Sequence, residues 1–357
     1  MSKNVLVVGT GTIGEPLIGL LAVLKKDLDI DEVAFYKRTP LIDEFAKVES
    51  LCKKGAQLIV KDDEFKKEFK SLGHKVSATF EKALNQATVI IDCTPAGNHM
   101  KDVHYLGLDA GSSKKRLFVA QGSEKGFGIP YAYGINDQIL DDSVNPRFIQ
   151  VVSCNTHNIA CMLQTLSGPH NLIHGDFTCM RRANDVSQDG NFIASPTLGN
   201  HKFAEFGTHH ARDVYDLFKT IGRTPSIFSS ALKLNTQYMH MIRFNIVTAG
   251  ELTRGEIIES LVVNKFVALT HKESTNQVFS FGRDHGFYGR TYNQAVVSVP
   301  SLHVSRKDGN THIAGFCFTP QDGNSLLSSL AATLYGLHGE KYTRYLPVLD
   351  QTLFSWI

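Results

Sequence analysis

The sequence lacks a surplus of charge of either sign. Its 37 lysines and arginines face 35 aspartates and glutamates, which leaves a formal net charge of +2. A protein that binds nucleic acid or an acidic membrane usually carries a strong basic excess, so this balance argues against both kinds of partner. Any anion-binding site in the chain must therefore be local.

Paired cysteines and long apolar runs are also missing. The six cysteines, at positions 52, 93, 154, 161, 179 and 317, are scattered and form no CxxC pair. That spacing favours free thiols in a reducing cytoplasm over a disulfide framework or a zinc site, so we expect a cytoplasmic protein without a metal. No apolar run approaches the roughly 20 residues of a membrane span, and we expect no signal segment before the first strand. We find no internal repeat.

What is present is enough chain for two domains. The 357 residues are 42% hydrophobic and 20% charged, an ordinary composition for a globular protein. We predict an α/β N-terminal Rossmann domain with a doubly wound, mostly parallel sheet over residues 1–153, completed by a C-terminal helix within 324–357. For residues 154–323 we predict an α+β catalytic domain with a mostly antiparallel sheet, because strand-like runs alternate there with long polar loops and one helix.

A glycine-rich turn follows the first predicted strand. The apolar run Asn4 to Val8 leads directly into Gly9-Thr10-Gly11-Thr12-Ile13-Gly14, and apolar residues at helical spacing follow from Leu17 to Leu24. Strand, GxGxxG turn and helix in this order are typical of dinucleotide-binding proteins, in which the pyrophosphate rests on the helix N-terminus. The three glycines are therefore predicted to bind a cofactor, although a GxGxxG by itself is a weak signal.

The end of the second predicted strand indicates which dinucleotide is bound. The strand Glu32 to Tyr36 runs into Lys37 and Arg38. An NAD enzyme usually places an acidic residue here for the ribose hydroxyls, whereas two cations would pair with the 2′-phosphate of NADP. We predict NADP, with NAD as the alternative cofactor and a solvated basic strand end as the alternative without function.

Two further predicted strands end at positions suited to the same cofactor. One runs into Thr94 and Pro95, and the other ends at Gln121 and Gly122. Ligands of doubly wound sheets lie beyond the carboxyl ends of the strands, so we expect these four residues to line the cofactor cleft.

Cys154 lies where a predicted strand changes into a predicted helix. Val151 and Val152 end the strand, Ser153-Cys154-Asn155-Thr156 follows, and an apolar run compatible with a helix comes next. The first free N–H groups of that helix would face the sulfur and favour the thiolate, which is the nucleophilic form. The alternative is a buried cysteine that only packs.

Three polar features of the second half carry further chemistry. Arg181-Arg182 ends a predicted strand, His209-His210 lies in a predicted polar loop, and His240 lies between two methionines in a predicted strand. The arginines and the histidine pair together are predicted to form an anion site. Exposed charge is the alternative for the arginines alone, and core packing is the alternative for His240.

Together these motifs resemble the type II, archaeal-class glyceraldehyde-3-phosphate dehydrogenases. The resemblance runs nearly end to end, and its most specific parts are the Ser-Cys-Asn-Thr block and the Arg181-Arg182 pair, which begins 27 residues after Cys154. Other matching segments are Ala120 to Lys125, Met239 to Met241 and Phe281 to Asp284. The resemblance implies a nicotinamide cofactor and a homotetramer.

The resemblance also implies roles for individual residues. Cys154 would be the nucleophile and His240 the candidate base. The substrate contacts it implies are Ser153, Asn155 and Thr156, with a phosphate site at Arg181, His209 and His210. The contacts it implies on the nicotinamide side are Thr12, Ile13, Gly122 and Arg182.

The reaction implied by the resemblance is a reversible, phosphorylating oxidation of glyceraldehyde 3-phosphate in glycolysis and gluconeogenesis, through a cysteine thioester to an acyl phosphate. Two alternatives remain open: an acyl-CoA reductase or semialdehyde dehydrogenase that passes the same thioester to coenzyme A, and a non-catalytic nucleotide-binding regulator. Retention of the cysteine, the histidine and the arginine pair argues against the regulator. His157-Asn158 replace the Thr-Gly of the family, and we expect their side chains to border the acyl site.

Overall fold

The computed structural model describes residues 2–95, 97–111, 114–122, 124–168, 171–186, 188, 190 and 192–357. Ser123, part of the matching segment Ala120 to Lys125, lies outside them. The chain forms two compact units, each with its own sheet. The first comprises Met1–Tyr131, Gln138–Val151 and Ser328–Leu349, and the second comprises Ala132–Asp137, Val152–Leu327 and Asp350–Ile357.

The first unit is built on an eight-stranded parallel sheet. Its strands are β1 (Asn4–Val8), β2 (Glu32–Tyr36), β3 (Gln57–Val60), β4 (Val76–Thr79), β5 (Val89–Asp92), β6 (Leu117–Gln121), β7 (Ile129–Tyr131) and β8 (Phe148–Val151). They lie in the order β4-β3-β2-β1-β5-β6-β8-β7, so the strand order reverses beside β1. This arrangement confirms the predicted doubly wound sheet of the Rossmann type.

Helices connect these strands. They are α1 (Gly14–Val23), α2 (Phe45–Lys53), α3 (Asp63–Ser71), α4 (Phe80–Gln86), α5 (Gly97–Met100) and α6 (Leu106–Ala110). Helix α1 follows the glycine-rich turn at once, and its apolar residues Leu17, Ile18 and Leu20 are fully buried. The predicted order of strand, turn and helix is therefore present.

The second unit is built on a mixed sheet. Its strands are β9 (Leu172–Arg181), β10 (Thr197–Leu198), β11 (Ile227–Lys233), β12 (His240–Ala249), β13 (Val267–Thr270), β14 (Ala295–Ser298), β15 (His303–Lys307) and β16 (Asn310–Thr319). Their order is β10-β11-β9-β12-β16-β14-β13, with β15 also pairing with β16. The β9–β11 and β13–β14 pairs are parallel and the other pairs are antiparallel, which confirms the predicted mostly antiparallel sheet. Alternate residues of β12 are buried, as expected for a strand with one face in the core.

Helices cover this sheet. They are α7 (Cys154–Ser167), α8 (His209–Lys219), α9 (Arg254–Val263) and α10 (Thr275–His285), and the chain continues through α11 (Leu326–His338) and α12 (Pro347–Asp350). In the part of the chain described above, no helix is long and apolar enough to cross a membrane.

The prediction of a polar loop at His209-His210 is wrong. Helix α8 begins at His209, and its buried residues Ala211, Val214 and Leu217 recur at helical spacing. That spacing is visible in the sequence, but the polar residues before it hid the start of the helix. The histidine pair consequently lies at a helix N-terminus.

Candidate functional site

Cys154 is the first residue of α7, and several polar contacts hold it there. Oγ of Ser153 accepts the backbone N–H of Thr156 at 3.4 Å and lies 2.8 Å from the Thr156 hydroxyl, so Ser153 caps the helix. The backbone N–H of Asn155 donates to the Cys154 sulfur. Nδ2 of Asn324 donates to the carbonyl oxygen of Cys154 at 2.9 Å. These contacts fix the backbone on both sides of the thiol.

The protonation state of the Cys154 thiol is set by opposing effects. Burial raises its pKa to about 12, while the Arg182 guanidinium and the Asn155 N–H lower it and Asp322 raises it further. The thiol is therefore protonated at neutral pH in this structure. The helix start alone does not produce the thiolate that we expected, so additional positive charge must stabilise it.

His157 and Asn158 do not offer free polar groups to a substrate. Nδ1 of His157 donates to the carbonyl oxygen of Ser153 at 3.0 Å, and burial lowers the pKa of His157 to about 4, so the ring is neutral. Nδ2 of Asn158 donates to the carbonyl oxygen of Phe318 and to the hydroxyl of Thr319. Both side chains are fully buried. They bind the protein itself and add no positive charge for a phosphate.

Arg181 and Arg182 differ in their surroundings. The Arg182 guanidinium is 1% exposed and donates to Asp185 at 2.8 Å and to Asp322 at 3.0 Å. Arg181, the last residue of β9, is half-buried, and it has no ion pair within the described residues. Of the two, only Arg181 has a guanidinium available for an external anion.

Arg181 belongs to a cluster with His209 and His210. The two histidine rings lie 4.0 Å apart, and Arg181 lowers the pKa of both after burial, which is the larger effect. His210 is 4% exposed, and neither ring nitrogen has a hydrogen-bond partner within the described residues. The first N–H groups of α8 lie at the same place, since the helix begins at His209. A cation, two neutral rings and a helix start together suit a phosphate or carboxylate.

His240 is the first residue of β12 and lies close to both arginines. Its Nδ1 accepts the backbone N–H of Arg182 at 2.9 Å, and burial, together with Arg182 and Arg181, lowers its pKa to about 3. Across the sheet His240 pairs with Thr319, whose hydroxyl donates to Oδ1 of Asn155 at 3.4 Å. The fold therefore brings His240, Arg182 and the start of α7 into one neighbourhood.

In the first unit, the glycine-rich turn fits a dinucleotide. Gly9 has φ +100°, and a side chain there would meet Thr94 at 3.2 Å. A Cβ at Gly14 would lie 2.2 Å from the Gly9 carbonyl oxygen, so this position requires glycine. A Cβ at Gly11 would meet no atom within 4 Å, which leaves open space where a pyrophosphate would approach.

The two cations after β2 are not equivalent. Lys37 is buried and forms an ion pair with Glu44, which also pairs with Lys47. Arg38 is exposed and has no ion pair within the described residues. A 2′-phosphate would therefore meet Arg38 as the available cation, with Lys37 already neutralised.

Gln121 and Gly122 lie at the carboxyl end of β6, as predicted. Nε2 of Gln121 donates to the Ser329 hydroxyl, and its Oε1 is buried without a hydrogen-bond partner within the described residues. Gly122 has φ +75°, and its N–H donates to the carbonyl oxygen of Val151. Thr12 and Ile13 lie in the turn that precedes α1.

The sequence did not reveal two residues that contact Arg182 and Cys154 from much later in the chain. Asp322 pairs with Arg182, and Asn324 binds the Cys154 carbonyl. Both precede α11, well over a hundred residues from their partners. A cluster of polar residues before an amphipathic run was the available signal, but no spacing rule links it to Cys154.

Three buried neutral histidines predict a dependence of stability on pH. Burial lowers the pKa of His157 to about 4, that of His240 to about 3, and that of His210 well below its ordinary value. As pH falls below 6.5, these histidines become protonated in the unfolded chain but stay neutral in the folded chain. The free energy of unfolding therefore decreases from its value at neutral pH. Each histidine contributes about 1.4 kcal/mol per pH unit between pH 6.5 and 5.

Thermal unfolding at pH 7.5, 6 and 5 checks this expectation. The midpoint should fall with pH in the unmodified protein and fall less in His157→Gln. His303→Gln, at an exposed position, is the control and should follow the unmodified protein. A midpoint that is the same at pH 5 and 7.5 would contradict the assignment of neutral buried rings.

The sequence is similar to dehydrogenases from several archaea. No family model matches the sequence. The glyceraldehyde-3-phosphate dehydrogenase of Sulfolobus acidocaldarius is 26% identical over 307 residues, which is 83% of this chain and 82% of that protein. Those of Metallosphaera sedula and Pyrococcus abyssi are each 26% identical, and the matches cover 84% and 83% of this chain and the same shares of those proteins. These similarities confirm the resemblance that the motifs indicated.

Proposed function

We infer that this chain, which belongs to the type II, archaeal-class glyceraldehyde-3-phosphate dehydrogenases, oxidises a phosphorylated aldehyde with a nicotinamide cofactor. The observation that carries the proposal is Cys154 at the start of α7, in the same unit as the buried His210 and as Arg181, which has no ion pair within the described residues. A positioned thiol and an anion site are what covalent oxidation of such a substrate requires.

The chemistry begins with Cys154. Its thiolate adds to the carbonyl carbon of the aldehyde. His240 stabilises the negative charge that develops on the carbonyl oxygen. A bound nicotinamide would supply the redox chemistry as the hydride acceptor, and Cys154 would then carry the acyl group as a thioester. Inorganic phosphate then attacks the thioester, the thiolate leaves, and an acyl phosphate is released.

The anion cluster supports a phosphorylated substrate. Arg181 can donate charge-assisted hydrogen bonds to phosphate oxygens, and the N–H groups at the start of α8 add to the attraction. His209 and His210 are held neutral, so they would act as hydrogen-bond donors. Because His157 and Asn158 are committed to internal contacts, we assign the phosphate to Arg181, His209 and His210 alone.

The glycine-rich turn and Arg38 support NADP as the cofactor. The turn would hold the pyrophosphate, and the exposed Arg38 would pair with the 2′-phosphate. Assembly into a homotetramer stays a prediction that follows from the family.

A coupled assay of the purified protein tests the proposed function. Glyceraldehyde 3-phosphate is supplied with NADP or NAD, and with phosphate or coenzyme A as acceptor. We expect reduced cofactor to accumulate fastest with NADP and phosphate. No activity with the triose phosphate, together with reduction of a short acyl-CoA by NADPH, would favour the acyl-CoA reductase instead.

Arg38→Ala should change the cofactor preference. Loss of a charge-assisted contact of about 1.5–3 kcal/mol would weaken NADP binding roughly 10- to 150-fold, while NAD binding should stay nearly unchanged. Fluorescence titration with NADPH and NADH measures both constants. Lys61→Ala is the matched control, since Lys61 is an exposed cation directly after the neighbouring strand β3. Equal weakening of NADPH binding and NADH binding would show that Arg38 does not contact the 2′-phosphate.

A further inference from the structure

Glu44 forms ion pairs with two lysines at once. It is the last residue of the 3₁₀-helix Ile42–Glu44, which lies between β2 and α2. Oε2 of Glu44 pairs with Nζ of Lys37, the residue that follows β2, and Oε1 pairs with Nζ of Lys47 on α2 at 2.6 Å. Each carboxylate oxygen therefore accepts from one lysine and keeps a lone pair for another donor.

The Glu44 carboxylate lies between the end of β2 and the glycine-rich turn. Lys37 is buried at the strand end, while Nζ of Lys47 also donates to the carbonyl oxygen of Thr10, in the turn, at 3.5 Å. In doubly wound sheets the adenosine ribose of a dinucleotide lies between these two features, and an acidic residue there binds its hydroxyls. The sequence has no acid directly after β2, but the fold brings one to this place from the following turn.

Glu44 is both ionised and accessible. Its side chain is 24% exposed. Burial acts to raise the pKa of Glu44, but the hydrogen bonds and the attraction from Lys37 and Lys47 together outweigh burial and lower it. An ionised carboxylate accepts a hydrogen bond from a hydroxyl, whereas it repels a phosphate.

The cations at this place are only partly available to a phosphate. Arg38 is exposed and has no ion pair within the described residues, but Lys37 and Lys47 share the negative charge of Glu44. The 2′-phosphate of NADP would gain the contact with Arg38 and would also be repelled by Glu44. NAD would lack the phosphate contact but would gain a hydrogen bond from its 2′-hydroxyl.

We propose that Glu44 is a specificity-determining residue for the cofactor, because its carboxylate accepts the 2′-hydroxyl of NAD and repels the 2′-phosphate of NADP. The inference rests on the proposed function. Glu44 limits the preference for NADP that Arg38 creates, so the chain binds both dinucleotides. Lys37 and Lys47 act as positioning residues that hold the carboxylate in place.

Glu44→Gln tests this role, because it removes the charge and keeps the shape of the side chain. NADH binding should weaken and NADPH binding should tighten, since Lys37 and Lys47 no longer share their charge with a carboxylate. The ratio of the NADH dissociation constant to the NADPH dissociation constant should rise at least roughly tenfold. Fluorescence titration of the purified protein with each reduced cofactor measures both constants.

Glu49→Gln is the matched control. Glu49 lies on α2, is exposed and pairs with Lys53 at 3.1 Å, so its loss removes the same charge from the next helix. Neither dissociation constant should change in this variant. An unchanged ratio in Glu44→Gln, or the same change of the ratio in Glu49→Gln, would overturn the role of Glu44 and leave the proposed function intact.

A double variant keeps the test decisive if Glu44→Gln folds poorly. Lys37 is buried, so the single substitution removes the Glu44 carboxylate from a buried ammonium and should lower the midpoint of thermal unfolding. Lys37→Met combined with Glu44→Gln removes both charges, and NADH binding should still weaken severalfold. Unchanged NADH binding in the folded double variant would contradict the inference. If the unmodified protein bound neither cofactor, the proposed function itself would fail, and the role of Glu44 with it.

Discussion

Cys154→Ser is expected to lower kcat for aldehyde oxidation by roughly 10⁴-fold or more. A serine hydroxyl is not ionised at neutral pH, and neither the start of α7 nor the nearby guanidinium of Arg182 can shift it far enough. NADP binding should persist, because the glycine-rich turn and Arg38 lie in the other unit. Stopped-flow absorbance of reduced cofactor measures the first turnover, and titration with NADPH measures binding.

Cys161→Ser is the matched control for this substitution. Cys161 lies two turns further along the same helix, is fully buried, and contacts Nδ2 of Asn264 at 3.8 Å, which can also donate to a serine hydroxyl. The control should keep the rate of the unmodified protein per folded molecule. If Cys154→Ser keeps more than a few per cent of the rate, or if Cys161→Ser loses it, the nucleophile is another cysteine.

Arg181→Gln should raise the Michaelis constant for glyceraldehyde 3-phosphate roughly 10- to 150-fold. The change removes a charge-assisted contact of about 1.5–3 kcal/mol to a phosphate oxygen. The turnover number should change far less, because Arg181 contacts the phosphate and not the reacting carbon. Unphosphorylated glyceraldehyde should be oxidised with an unchanged kcat/KM. Steady-state kinetics with both aldehydes measures the difference.

Arg212→Gln provides the control for charge. Arg212 lies on α8 beside the histidine pair, but its guanidinium already pairs with Asp213 at 2.8 Å. Its removal should leave the Michaelis constant for the triose phosphate nearly unchanged. A similar rise of the Michaelis constant in both variants would contradict this assignment, as would an equal fall of kcat/KM with the two aldehydes in Arg181→Gln. Either result would mean that the cluster affects protein stability or the overall electrostatic field and does not bind the phosphate.

The parts of the fold that the sequence predicted well depend on neighbouring residues. Strand β1, the glycine-rich turn and α1 follow one another within twenty residues, and each has its own signal of apolar run, glycine spacing or helical period. The start of α7 at Cys154 was also predictable from neighbouring residues, because serine is a preferred helix-capping residue and Ser153 precedes an apolar run.

The parts that the sequence did not predict depend on contacts that no local sequence pattern encodes. Nothing near Lys37 indicates that Glu44 turns back to neutralise it, yet this pairing leaves Arg38 as the available cation. The state of His240 likewise depends on the backbone N–H of Arg182, 58 residues earlier, which no side-chain pattern encodes. Motifs identified the site residues, whereas their protonation and pairing required the fold.

Trapping of the covalent intermediate tests the central claim most directly. The protein is mixed with glyceraldehyde 3-phosphate and NADP without phosphate, quenched in acid and analysed by intact mass and peptide mapping. We predict one acyl adduct on the peptide that contains Cys154, removed by hydroxylamine as a thioester is, and absent from Cys154→Ser. An unmodified Cys154 after the cofactor has been reduced, or an adduct on Cys161 or Cys179, would contradict the account.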